Sequence, residues 1–169
     1  DRNTGLGWFF DGGTLLDEQS TLISEYGQFE TETKLATFIE GVTLESPDYN
    51  LSSDTLHYNT DLHKAFIVSP TTIISDDNII HTSRGTFLSD SRDAVLLDRS
   101  VVEQDDGSTR MTGDSIIYTE SSGSVFGYGN VVINNYSDRI DVLGDYACYF
   151  QDTDSAVVTG NALLIEYSA

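Results

Sequence analysis

The stretch GDSIIYTESSGSVFGYGNVVI, residues 113–133, decides the fold. Two runs rich in Ile, Val and Tyr flank a Ser/Gly turn, the pattern of two strands joined by a hairpin. Taken alone, it would be a local element. Its layout, however, returns along the chain, and a repeat at this spacing governs the whole architecture.

Placing Phe29, Tyr58, Phe87, Tyr118 and Tyr149 in one column gives spacings of 29, 29, 31 and 31 residues. Seven positions earlier stand Leu22, Leu51, Ile80, Met111 and Val142, all apolar. Five positions earlier, Ser24, Ser53, Thr82, Gly113 and Gly144 are small. Four positions earlier, Glu25, Asp54, Asp114 and Asp145 are acidic, and Ser83 takes that place in the third unit. Seven positions after the aromatic come Ala36, Ala65, Ala94, Val125 and Ala156. Fifteen after it come Leu44, Ile73, Val102, Ile133 and Leu164.

Each unit therefore reads as a strand ending near the aromatic, a polar turn, and a second strand starting at the small residue. The second strands are ATFIEGVTL, AFIVSPTTI, AVLLDRSVV, VFGYGNVVI and AVVTGNALL. Glu40-Gly41, Ser69-Pro70, Gly129-Asn130 and Gly160-Asn161 interrupt them, and Gly, Pro or Asn inside a strand marks a bulge or corner. Asp98-Arg99 replaces that pair in the third unit and sets its bend apart. Five units fill residues 22–166; residues 1–21 are a partial unit or cap anchored by Trp8, Phe9 and Phe10. The expected arrangement is one all-β domain over residues 1–169, part of a longer protein.

A unit with two short strands cannot bury its apolar face alone, whereas stacked units share a continuous interior. Whether facing sheets close into a core or splay into a trough stays open at this level. The second strands are apolar on both faces (Phe66, Ile67 and Val68, for example), which fits either full burial or one face turned to a ligand.

Composition narrows the function. The chain carries 28 acidic and 8 basic residues, a formal charge of −20, which repels phosphate backbones and argues against nucleic-acid binding. No run of 18 apolar residues is present. The one cysteine, Cys148, excludes an internal disulfide and reads as a small packing residue. His57, His63 and His81 fall at different repeat positions, without the tight spacing of a zinc site. The acidic column looks structural, accepting backbone N–H bonds at turns or strand ends, because a catalytic carboxylate pair needs two unlike groups at one place. No phosphate loop, nucleophile elbow or dinucleotide fingerprint occurs, so the expected protein is not an enzyme and needs no cofactor or metal.

The repeated form in residues 113–133, with SDTLHYNTDLHKAFIVSPTTIISDDN (53–78) and GDYACYFQDTDSAVVTGNAL (144–163), resembles the OstA/LptA family, and most closely the OstA-like proteins of Bacteroidetes. Asp114, Tyr118, Gly129, Asn130 and Val131 carry the likeness best, followed by Asp145, Tyr149, Ala156, Gly160 and Asn161. The resemblance implies an open, twisted, V-shaped β-jellyroll in the periplasm of a Gram-negative envelope. It further implies a scaffold for lipopolysaccharide or lipid A, with acyl chains in an apolar groove. Its partners would be envelope transport components of the same fold, or further copies stacked end to end through terminal strands.

On that reading the candidate lining from the first three units is Leu44, Leu56, Ala65, Ile67, Ile73, Ala94, Leu96 and Val102. The last two units would add Ile116, Val125, Ile133, Ala156, Val158 and Leu164. Family members that handle lipid A phosphates often have basic residues near the groove mouth, whereas this chain has few basic residues anywhere, so affinity would come from acyl burial, at about 0.8 kcal/mol per CH₂. The rival reading is a structural or adhesive module with a closed core and no lipid. A carbohydrate-active β-solenoid ranks third.

Overall fold

The computed structural model describes residues 5–17 and 20–168. The N-terminal strands are β1 (Leu6–Phe9), β2 (Gly13–Asp17), β3 (Ser20–Ser24), β4 (Tyr26–Glu30), β5 (Leu35–Glu45) and β6 (Tyr49–Asn59). Four short strands follow: β7 (Lys64–Ile67), β8 (Thr71–Ser75), β9 (Asn78–Thr82) and β10 (Arg84–Leu88). Then come the long β11 (Ala94–Gln104), β12 (Thr109–Thr119), β13 (Ser124–Asn135) and β14 (Ile140–Phe150), and finally β15 (Ser155–Thr159) and β16 (Leu163–Glu166).

Among the described residues all of these strands belong to one 16-stranded sheet, and every pairing is antiparallel. The sheet follows two ladders. One runs β1-β4-β5-β6-β7-β10-β11-β12-β13-β14-β15. The other runs β2-β3-β5-β6-β8-β9-β11-β12-β13-β14-β16. The long strands belong to both ladders, so the two halves are one sheet folded along a corner. Its first and last strands do not pair with each other, so the sheet is an open jellyroll rather than a barrel.

The corner is made by bulges. The register skips Glu40-Gly41 opposite Asp54 and Gly129-Asn130 opposite Asp145, and Gly160-Asn161 separates β15 from β16 on the other side of Asp145. Both residues of each pair have positive φ, 63° and 60°, 72° and 47°, and 71° and 51°. Two successive left-handed residues reverse the pleat locally and turn the strand. Gly129 avoids a crowded contact: its φ is 72°, and a Cβ there would lie 2.7 Å from Asp114 Oδ2. The third unit does not differ in this respect. Asp98 and Arg99 adopt φ of 62° and 59° and skip the register as Gly-Asn does. Residues with side chains are held in this strained region by their surroundings. Arg99 Nη1 donates to Asn130 O at 2.6 Å and pairs with Asp114 Oδ1 at 3.4 Å.

Ser69-Pro70 acts otherwise. It lies between β7 and β8, so the strand stops and restarts in the other half. Hydroxyls bridge the gap: Ser53 Oγ lies 2.8 Å from Thr71 Oγ1 and 2.9 Å from Ser69 Oγ.

The acidic column is structural, but its partners differ from those the sequence suggests. Asn130 Nδ2 donates to Asp114 Oδ2 at 2.7 Å, and Asn161 Nδ2 donates to Asp145 Oδ2 at 2.8 Å. Each acid faces a two-residue bulge, so the side-chain amide of the bulge reaches it in place of a backbone N–H. At the N-terminal cap, Phe9 alone of the three aromatic anchors turns inward, with its ring centroid 6.2 Å from that of Phe38. Trp8 and Phe10 are 60% and 67% exposed. Alternation along an extended segment puts the neighbours of an inward residue outside.

Candidate functional site

The repeat columns become cross-strand lines on the inner face. In the first ladder, Phe29, Ala36, Tyr58, Ala65, Phe87, Ala94, Tyr118, Val125, Tyr149 and Ala156 stand opposite one another in sequence. Large ring and small side chain alternate, so each ring lies over its small neighbours; the +7 column is small for this reason. Deeper toward the corner a second line includes Leu56, Ile67, Leu96, Ile116, Ala147 and Val158. The other ladder contributes Leu15, Leu22, Leu44, Leu51, Ile73, Ile80, Val102, Met111, Ile133, Val142 and Leu164, aliphatic or Met throughout. Two continuous apolar walls face each other.

Leu44, Leu56, Ala65, Ile67, Ile73, Ala94, Leu96, Val102, Ile116, Val125 and Ile133 are all buried in one core. Val158 is half-buried, whereas Ala156 and Leu164 are exposed on β15 and β16, beyond which no further strand packs among the described residues. These candidate residues thus lie on common walls in the order of the repeat columns. Among the described residues two small spaces lie between the walls. Two voids of about 10 Å³ each adjoin Asn78, one beside Tyr49, Ile73, Phe87 and Tyr118, the other beside Val102, Met111, Val125 and Tyr149. Each could hold a single water at most, whereas ligand pockets run to hundreds of Å³.

Sequence reasoning missed the residues that line the mouth opposite the corner. Asn78 is 1% exposed at the rim of the aliphatic half-sheet. Its Nδ2 donates to Tyr118 Oη at 3.0 Å, and Gln151 Nε2 donates to Asn78 Oδ1 at 2.5 Å. Tyr118 in turn donates to Glu120, whose carboxylate is paired with Arg92 at 2.8 Å. Burial first, then the hydrogen bond to Glu120, raises the Tyr118 phenol far above its ordinary value and keeps it a donor. A column nine positions before the aromatic (Ser20, Tyr49, Asn78, Thr109 and Ile140) would have found this rim, but its mixed chemistry hides it.

The outer rim is acidic. An open cleft of about 410 Å³ lies among Asp76, Asp77, Gln104, Asp105, Asp106, Gln151 and Asp152. Hydrogen bonds from Ser108 hold the Asp106 carboxyl below its ordinary value, so the charge persists into mild acid. A second cleft, about 540 Å³, is lined with hydroxyls and with His81, Asp98 and Arg99. Among the described residues, no group of three or more His, Cys, Asp or Glu is placed to hold a metal ion. His57 and His81 meet threonine hydroxyls at 2.9 and 3.1 Å, and His63 meets Asp90 at 3.1 Å. Cys148 is 4% exposed, and burial pushes its thiol up, away from reactive thiolate.

Residues 1–54 match the family model described as OstA-like protein. The chain resembles that family, and the match lies in the cap, the first unit and the start of the second. It is independent of the copies at 113–163 in which the likeness is clearest to the eye. Among solved structures the chain is similar to LptH from Pseudomonas aeruginosa, the LptA homologous periplasmic component of its lipopolysaccharide transport device. That similarity is 10% in identity over 99% of both chains, with a TM-score of 0.43. No curated protein matches.

Proposed function

We propose that this OstA-like chain is a non-enzymatic periplasmic scaffold that carries the acyl chains of lipopolysaccharide or lipid A between its two half-sheets. One observation carries the reading: apolar walls run in register through every unit, from Leu15 to Leu164 on one side. A closed domain needs an apolar core but does not need unbroken walls that reach an exposed end. The OstA-like match over residues 1–54 supports the same reading. The candidate lining is the set of columns named above, with Ala156, Val158 and Leu164 as the uncovered continuation.

The energetics favour chains over headgroups. With acidic side chains around the mouth cleft and a net charge of −20, phosphate is repelled, and affinity rests on apolar burial. The terminal strands are edges without Lys or Pro, ready for strand addition by an envelope partner or a further copy.

The packed interior favours a second reading, a structural module whose own side chains fill the space. Incubation of purified protein with fluorescent lipid A, followed by gel filtration, separates the two. Saturable co-elution supports the carrier. Absence of co-elution at every lipid concentration leaves the structural module.

A further inference from the structure

The contacts across the mouth follow a rule. Tyr49 in the second unit meets Phe87 in the third, ring centroids 4.9 Å apart and inclined at 69°. Asn78 in the third unit meets Tyr118 in the fourth. Thr109 in the fourth and Tyr149 in the fifth line one of the small voids together. Tyr49, Asn78 and Thr109 thus lie against the aromatic of the next unit rather than that of their own. Sheet twist produces this offset: neighbouring strands rotate by roughly 20–25°, so the two halves cross rather than lie unit over unit.

We infer that these unit-skipping contacts are a latch that holds the half-sheets together, and that an apolar chain reaches the interior only when Asn78 and Tyr118 part. The inference rests on the carrier reading for what is admitted, but not for the existence of the latch.

Three features single out Asn78–Tyr118 as the central clasp. It is polar, so it breaks without the full loss of apolar burial that separating Tyr49 from Phe87 entails. It is buried, so the broken state leaves polar groups to be solvated and is scarcely populated at rest. It is also tied from both sides, since Gln151 holds Asn78 while Glu120 and Arg92 hold Tyr118. The small voids on either side of Asn78 mean that parting the clasp would join spaces already present in the walls.

The test uses the whole chain and the variants Tyr118→Phe and Asn78→Ala, with Asn130→Ala as a corner control. Two quantities are read: amide exchange at the rims (residues 75–78, 104–109 and 118–124) and the uptake rate of cis-parinaric acid, an 18-carbon fluorescent fatty acid. Loss of the clasp is expected to speed rim exchange about tenfold, the equivalent of one buried hydrogen bond, and to raise probe uptake in step. Asn130→Ala is expected to leave both unchanged at the rims. Unchanged rim exchange in both clasp variants would overturn the latch. So would measurable uptake at the same rate by wild type and both variants, an outcome that leaves the carrier reading intact. Faster rim exchange without uptake by any form would support the latch and remove the carrier reading instead.

Discussion

The middle of the sheet and its C-terminal end carry the same repeat columns and have opposite surroundings. Ile133 is 4% exposed and Leu164, its equivalent one unit later, is 60% exposed. Ala94 is buried between Phe87 and Tyr118, while Ala156 has Tyr149 on one side only. Residue type does not decide burial here. The neighbouring unit does, as expected of a stack whose stability is a sum of units and of the interfaces between them. Among the described residues, β15 and β16 thus carry the same columns without a further layer packed on them.

The sharpest way to break this comparison is to cut matched side chains. Ile133→Ala, in the closed middle, should cost about 2–5 kcal/mol, whereas Leu164→Ala should stay within about 0.5 kcal/mol. Urea denaturation measures both, and equal costs would mean that the end is covered in solution. Overfilling is the complementary probe. Ala94→Leu forces a larger side chain between two rings and should cost about 1–3 kcal/mol. Ala156→Leu has open space and should cost almost nothing by the same measurement.

A smaller effect concerns the corners. Asn130→Ala keeps a left-handed backbone without the amide that bonds to Asp114, at about 1–2 kcal/mol. Asn161→Ala should loosen only β16, seen as faster exchange of its amides with little change in the global midpoint.

The smallest effect is set by pH. Hydrogen bonds from Asn134 and Tyr167 hold the Asp141 carboxyl below its ordinary value. Its contribution is therefore present above the unfolded carboxylate value and is lost as pH falls through the lowered folded one. Because Tyr167 follows β16, acid should fray the C-terminal end before the middle, which NMR amide intensities would show. Asp141→Asn should remove that pH dependence.

Much of this was legible in the chain. The aromatic, aliphatic and small columns gave the repeat, because each has one dominant chemistry, and the Gly, Pro and Asn interruptions gave the bends; apolar residues on both faces of the second strands left the inner face open. Other features were not legible. The exchange partners of Asp114 and Asp145 depend on bulge geometry, which places the Asn130 and Asn161 amides opposite each acid. Trp8 and Phe10 look like core residues beside Phe9 until their alternation is placed on a real strand. The mouth contacts join residues 38–40 positions apart, with partners of unlike type in each unit, so no column announces them. The closeness of the walls is a property of twist and side-chain volume, and no periodicity encodes it.

The central claim, that the inner walls meet lipid, can be tested at one position. The chain has a single methionine, Met111, on the aliphatic wall between Val102 and Ile133. Photo-methionine therefore places a cross-linker inside without altering the packing greatly. A second protein carrying Met111→Leu and Ile117→Met moves the same probe to the outer face, where residue 117 is 38% exposed in the parent chain. After incubation with lipopolysaccharide and irradiation, the account predicts lipid adducts at position 111 and none at 117. Adducts at 117 alone, or at neither position, would contradict it.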